Sequence, residues 1–164
     1  MMSIAQTILP EFKHEANNTR RVLERLTDEH FNWKPHEKSF SLGQLATHIA
    51  GLPHWLNIIV TTDDFDLINA GFARGNDKCF EEVKQRFETN IKQAEESLST
   101  ASDELMKTVW ILRKGDFKVV EIPKVVAIRS MVMNHSIHHR GELIVYMRLL
   151  DIKVPGLYGP SADE

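Results

Sequence analysis

His135 and His139 stand four residues apart in Asn134-His135-Ser136-Ile137-His138-His139-Arg140-Gly141-Glu142-Leu143, within the last helical pattern of the chain. At about 100° per residue, that spacing puts the two imidazoles one above the other on a single helix face. Two neutral imidazoles aimed at one point are half of a transition-metal site. The competing reading is a pair of core histidines satisfied by ordinary hydrogen bonds, and the spacing alone leaves both open. His138 lies on the flank of the same face and is an alternative ligand, further from the centre of the stripe. Glu142 lies on the same side as the pair.

A third ligand has to come from elsewhere, and His48 in Leu45-Ala46-Thr47-His48-Ile49-Ala50 is the candidate. Alone it reads as a core or edge histidine; its weight comes from the conjunction with His135 and His139. Two helices facing each other across a core can present three nitrogens from one side and leave coordination positions open. His14, His30, His36 and His54 fall off the apolar stripes or in polar loops and stay outside this set. Trp33, Trp55 and Trp110 read as packing residues, with Trp55 also able to line a pocket. Cys79 has no base beside it in sequence and reads as structural.

Four long helical patterns must carry these residues. The first spans about Ser3 to Leu26, with Ser3 and Gln6 in position for a capping box and Pro10 inside it. Thr27 to Phe40 reads as a loop. A second capping box, Ser41-Leu42-Gly43-Gln44, opens a helix to about Val60, with Leu45, Ile49, Leu52 and Leu56 on its apolar face and Pro53 bending it. The third runs from about Asp77 to Thr100. The fourth starts near Pro123 and runs to about Leu150, with Ile128, Met131, Val132, Tyr146, Leu149 and Leu150 sharing a face and the histidines near its middle. Thr108 to Glu121, split by Gly115-Asp116, has room for a small hairpin, although two strands alone are marginal. The link of residues 61 to 76 can span up to about 50 Å when extended, longer than a four- or five-turn helix. The second and third helices can therefore run parallel. An all-α four-helix bundle with a long crossover, in one domain over residues 1–164, is the fold expected.

Composition bounds the rest. Twenty Lys and Arg against 23 Asp and Glu give a formal charge of -3, with no dense basic block, so a nucleic-acid partner is not expected. One cysteine excludes an internal disulfide and fits a reducing cytoplasm. Met1 to Pro10 lacks the pattern of a secretory signal, and no apolar run approaches a membrane span. A cytoplasmic protein without a membrane partner is expected.

Four passages then carry a resemblance: Leu23-Glu24-Arg25-Leu26-Thr27 with Phe31-Asn32-Trp33-Lys34-Pro35-His36; Ser41 to Ala50; His135 to Leu143; and the tail Val154-Pro155-Gly156-Leu157-Tyr158-Gly159-Pro160-Ser161. Over essentially its whole length the chain resembles the DinB-like superfamily of metal-dependent hydrolases and transferases, also called the DinB/YfiT family. Matched one by one, the family's metal triad falls on His48, His135 and His139. The resemblance implies an up-down-down-up bundle, often a homodimer, and a divalent metal, with zinc or nickel as occupants. The family often has glutamine where this chain has Glu142. A carboxylate there could orient a ligand histidine or accept a proton, and it could equally pair with Arg140 or a lysine.

Relatives of this kind include enzymes that use a low-molecular-weight thiol. The expected function is a metal-dependent transferase or hydrolase acting on a small molecule, with Glu142 as catalytic helper and Tyr158 as a pocket wall. A non-catalytic metal-binding, stress-responsive protein is the alternative from another class, and a purely structural bundle is the third.

Overall fold

The computed structural model describes residues 2–70 and 75–164. Both capping boxes form. Ser3 Oγ accepts from the Gln6 amide at 3.1 Å while Gln6 Oε1 accepts from the Ser3 amide at 2.8 Å. Ser41 and Gln44 repeat the exchange at 3.1 and 2.9 Å. Each box satisfies two of the amides that a helix start leaves without partners. They open α1 (Ile4–Leu23) and α2 (Leu42–Thr61), which run through Pro10 and Pro53 respectively. Helix α3 (Phe80–Ser99) starts later than the expected Asp77. Its N-cap residue Cys79 makes no side-chain cap, and Asp28 Oδ1 accepts from the Phe80 amide at 2.7 Å instead.

A short helix, α4 (Asp103–Lys107), precedes strands β2 (Val109–Lys114) and β3 (Phe117–Pro123), and β1 (Asp64–Asp66) comes from the link after α2. The last helical run is α5 (Lys124–Ala127), a π-helical segment (Ile128–Asn134) and α6 (His135–Leu149).

The expected class, an all-α four-helix bundle, does not hold. The fold is mixed, with a three-stranded sheet in the order β1-β2-β3. The hairpin between Val109 and Pro123 is antiparallel, and β1 pairs parallel to β2 with Asp64 opposite Ile111. Gly115 takes the turn at φ +61°, a conformation that favours glycine. A lone hairpin would be marginal. Here β1 covers one edge of it, and Trp110 is fully buried, its Nε1 donating to Thr62 Oγ1 at 3.1 Å. Asp66 fastens the link to the turn: its Oδ1 accepts from the Gly115 amide at 3.0 Å and the Ile68 amide at 2.9 Å. Of the link expected to cross from α2 to α3, residues 71–74 lie outside the described residues.

Cross-helix contacts give the helix directions. Asn90 Nδ2 donates to the Ala50 carbonyl at 2.8 Å and Ser97 Oγ to Asn57 Oδ1 at 2.6 Å, so α2 and α3 run parallel. Lys13–Glu95 and Arg20–Glu88, at 3.2 and 2.6 Å, set α1 antiparallel to α3. The core between them includes Ile8, Phe12, Leu45, Ile49, Leu56, Val83, Phe87, Ile128, Val132 and Leu143. Among the described residues no helix is long and apolar enough to cross a membrane.

Lys124 fixes the last helical run against α2. Its buried ammonium donates to the carbonyls of Ile59 at 3.0 Å and of Thr62, where α2 ends, and pairs with Asp63 at 3.0 Å. Carbonyls at a helix end have no partner within the helix, so a cation there is favourable. His135 lies as far beyond Lys124 as His48 lies before Ile59. The two antiparallel elements therefore meet at their histidines.

Candidate metal centre

His48 from α2 and His135 and His139 from α6 come together. One ligand nitrogen from each falls within a common 4.8 Å. His135 Nε2 lies 3.3 Å from His48 Nε2 and 2.8 Å from His139 Nε2. The rings of His48 and His139 are 4.6 Å apart at their centroids.

The outer nitrogens carry the chemistry. His135 Nδ1 faces the Met131 carbonyl at 3.3 Å, and His139 Nδ1 faces Glu142 Oε2 at 2.6 Å. Both partners are acceptors, so a neutral ring puts its proton on Nδ1 and leaves a lone pair on Nε2. Two lone pairs then confront each other at 2.8 Å, which repels unless a cation lies between them. Burial, and next the neighbouring His139, hold the His135 imidazole below its ordinary range, against a smaller opposing effect of the Met131 carbonyl. A divalent ion fits the spacing of the nitrogens. Nitrogens about 2.0–2.1 Å from one ion stand roughly 2.9 Å apart at a right angle and roughly 3.3 Å apart at the tetrahedral angle.

Glu142 takes neither of its two expected surface roles. It pairs with His139 and, through Oε1 at 3.3 Å, with the exposed His138. Arg140 turns the other way and is buried. Its guanidinium donates to the Glu15 carbonyl at 2.9 Å, Thr19 Oγ1 at 3.1 Å and Glu15 Oε2 at 2.5 Å, and also meets Tyr158. This displaces the buried stripe of α6 onto Arg140, Leu143 and Met147, leaving Leu149 exposed and the histidines half-buried on its flank rather than at its middle. Tyr158, expected as a wall of the histidine pocket, lies instead in a separate cleft with Arg140 and Gly141.

His48 and His135 line a cavity of about 510 Å³. Trp55 is in its wall, as its position allowed. Sequence reasoning missed Phe31, Phe40, Gln44, Thr47, Gly51, Asp77 and Met131 around it. One signal was available: Gln44, Thr47, His48, Gly51, Leu52 and Trp55 recur at i, i+3, i+4, i+7, i+8 and i+11, a second stripe on α2 beside the core stripe.

The DinB family profile matches residues 1–164. The chain belongs to the DinB family. Two relatives, the uncharacterized proteins YrdA and YjoA of Bacillus subtilis (strain 168), are each 27% identical to it. YrdA aligns over 100% of this chain and 93% of its own length, YjoA over 90% and 91%. Two solved DinB-like structures share the fold. That from Bacillus cereus ATCC 10987 superposes with a TM-score of 0.70 at 23% identity, covering 92% of this chain and 95% of its own. That of YjoA gives 0.74 at 19% identity, covering 93% and 99%.

Proposed function

We propose that this DinB-family chain is a metal-dependent enzyme that holds one divalent cation, zinc or nickel, on His48, His135 and His139. The reaction proposed is transfer of a low-molecular-weight thiol to a small electrophile, with hydrolysis as the nearest variant. The observation that carries the reading is the pair of Nε2 atoms 2.8 Å apart whose rings both face acceptors with their other nitrogen. Three neutral donors leave the positive charge of an ion intact. Such an ion lowers the pKa of a thiol or water beside it and makes a nucleophile at neutral pH.

The chain's own residues do the rest. Glu142 holds the His139 ring with its Nδ1 protonated and Nε2 turned inward, and its 44% exposed carboxylate is placed to take up a proton and release it to solvent. The Met131 carbonyl does the same orienting work for His135. The adjoining cavity, which a protein that only stored metal would not need, holds the electrophile against the open side of the cluster and keeps bulk water from it.

Metal analysis of tag-free protein, joined to a turnover assay, tests this reading. Purified protein is expected to retain close to one divalent ion per chain. The loaded form should accelerate displacement of chloride from 1-chloro-2,4-dinitrobenzene by a small thiol, with release of the thiol proton, over the chelated form. Protein that neither retains nor takes up zinc or nickel would sink the proposal.

A further inference from the structure

Gly51 sits in the middle of α2, just under one turn beyond His48, and no described residue packed against it requires glycine. Glycine inside a helix is less favourable than alanine, so its presence needs a reason. A Cβ built at Gly51 meets nothing within 4 Å among the described residues. At two other glycines close packing supplies the reason: a Cβ at Gly43 would strike the Phe31 ring at 2.4 Å, and one at Gly75 would strike Thr47 Cγ2 at 2.7 Å. Nor does Gly51 have a left-handed backbone, which among the described glycines belongs to Gly115. Gly51 does face the cavity beside His48 and His135.

The walls around it say what it admits. Phe31, Phe40, Leu52, Trp55, Leu67 and Met131 make them largely apolar. The carboxylate among them, Asp77, is 6% exposed and already held by Arg86 through contacts of 2.7 and 2.8 Å. Among the described residues the lining therefore offers no unpaired charge to a ligand. Its volume of about 510 Å³ suits a small molecule.

We infer that the cavity is the binding site for an uncharged small molecule with an apolar, ring-sized body. That body lies against the bare helix backbone at Gly51, with its reacting end at His48 and His135. Gly51 is then a specificity-determining position. Only the reacting end depends on the metal-enzyme reading; the seat at Gly51 does not.

The probe is N-phenyl-1-naphthylamine, a neutral compound that fluoresces in apolar sites, titrated into metal-free protein. The wild type should bind it, and Gly51→Leu should weaken binding at least tenfold by occupying its place. Gly51→Ala should give a smaller loss while raising the melting temperature by roughly 2–4 °C, which keeps the test alive if the leucine variant folds poorly. Gly141→Leu, at a glycine that is also open but lies in the other cleft, should bind as wild type. 1-Methylnaphthalene should displace the probe at least tenfold more effectively than 1-naphthoate.

Three results overturn the inference: no probe binding by wild type, undiminished binding by folded Gly51→Leu, or equal displacement by the charged ring. Probe binding that Gly51→Leu abolishes, in a wild type that takes up no metal, would refute the metal reading and uphold the cavity assignment.

Discussion

The Nδ1 atom of His139 lies 2.6 Å from Oε2 of Glu142, three residues further along α6. This contact holds Nδ1 against the carboxylate and leaves Nε2 turned toward His135. Removing the carboxylate frees the ring to rotate and to exchange tautomers. Glu142→Ala is expected to lower zinc affinity by about 10–100-fold, read by competition with a chromophoric chelator. Glu142→Gln keeps an oxygen that accepts from Nδ1 and should recover most of that loss. If glutamine restores the affinity but not the thiol-dependent turnover, the carboxylate also moves a proton. Unchanged affinity in Glu142→Ala would remove the orienting role.

His138 provides the internal control. Its side chain is 65% exposed and its Nε2 is directed to Glu142 Oε1 at 3.3 Å. Substituting it leaves the three-nitrogen cluster intact, whereas three ligands leave none to spare. His48→Ala, His135→Ala and His139→Ala should each reduce metal affinity by orders of magnitude, and His138→Ala by less than about tenfold. Equal losses at His138 and His139, measured by calorimetry, would mean that the ligands of α6 have been assigned in the wrong register.

The pair of histidines on α6 and the two capping boxes were legible because each follows a local rule. Ser3 with Gln6, Ser41 with Gln44, and His135 with His139 are pairs whose spacing dictates their geometry. The hairpin split at Gly115-Asp116 was legible too, but the strand that joins it was not, because Asp64-Phe65-Asp66 is too short to show alternation and pairs with a strand far along the chain. Arg140 was missed for a related reason: hydrophobic patterning assigns arginine to the surface, and the Glu15 that permits its burial lies on another helix. The π-helical segment before His135 changes the angular step per residue, so a face drawn at a constant step drifts across it. The cavity stripe on α2 was overlooked because Gln44, Thr47 and Gly51 look like a solvated face until something is packed opposite them.

Arg140 and Glu15 form a pair that folding has removed from water, with side chains 2% and 12% exposed. Removing one member of such a pair strands the other. Glu15→Ala should cost about 3 kcal/mol, at the low end for a broken buried pair because Thr19 and the Glu15 carbonyl still accept from the guanidinium. Tyr158→Phe, which removes only a hydroxyl donating to Glu15 Oε2 at 2.6 Å, should cost about 1 kcal/mol. Urea denaturation of the metal-free proteins distinguishes the two. A loss below 1 kcal/mol for Glu15→Ala would show that water reaches the guanidinium.

Asp66 gives the fold an acid-sensitive joint. Amides of Gly115 and then of Ile68 donate to its carboxylate, and with Arg113 and Asn69 they hold its pKa below the ordinary 3.8. The unfolded chain therefore binds the proton more readily than the folded one. The stabilisation is fully present above about pH 3.8 and is lost as the pH falls through the folded value. Asp66→Asn should lower the melting temperature at pH 7 by several degrees and make the difference from wild type shrink below pH 4. A difference that stays constant down to pH 3 would refute the assignment.

Association of two chains is expected through the outer face of α6. Val145 and Leu149 lie one turn apart there and are 57% and 60% exposed, an apolar pair that a second copy could cover. A symmetric contact places each pair against its equivalent, so one substitution acts twice. Sedimentation at micromolar concentration should give about twice the chain mass of 18.9 kDa, and Leu149→Glu should shift the protein toward monomer by bringing two carboxylates together in an apolar contact. A wild-type monomer at that concentration would remove the dimer. A dimer undisturbed by Leu149→Glu would instead place the interface on another face.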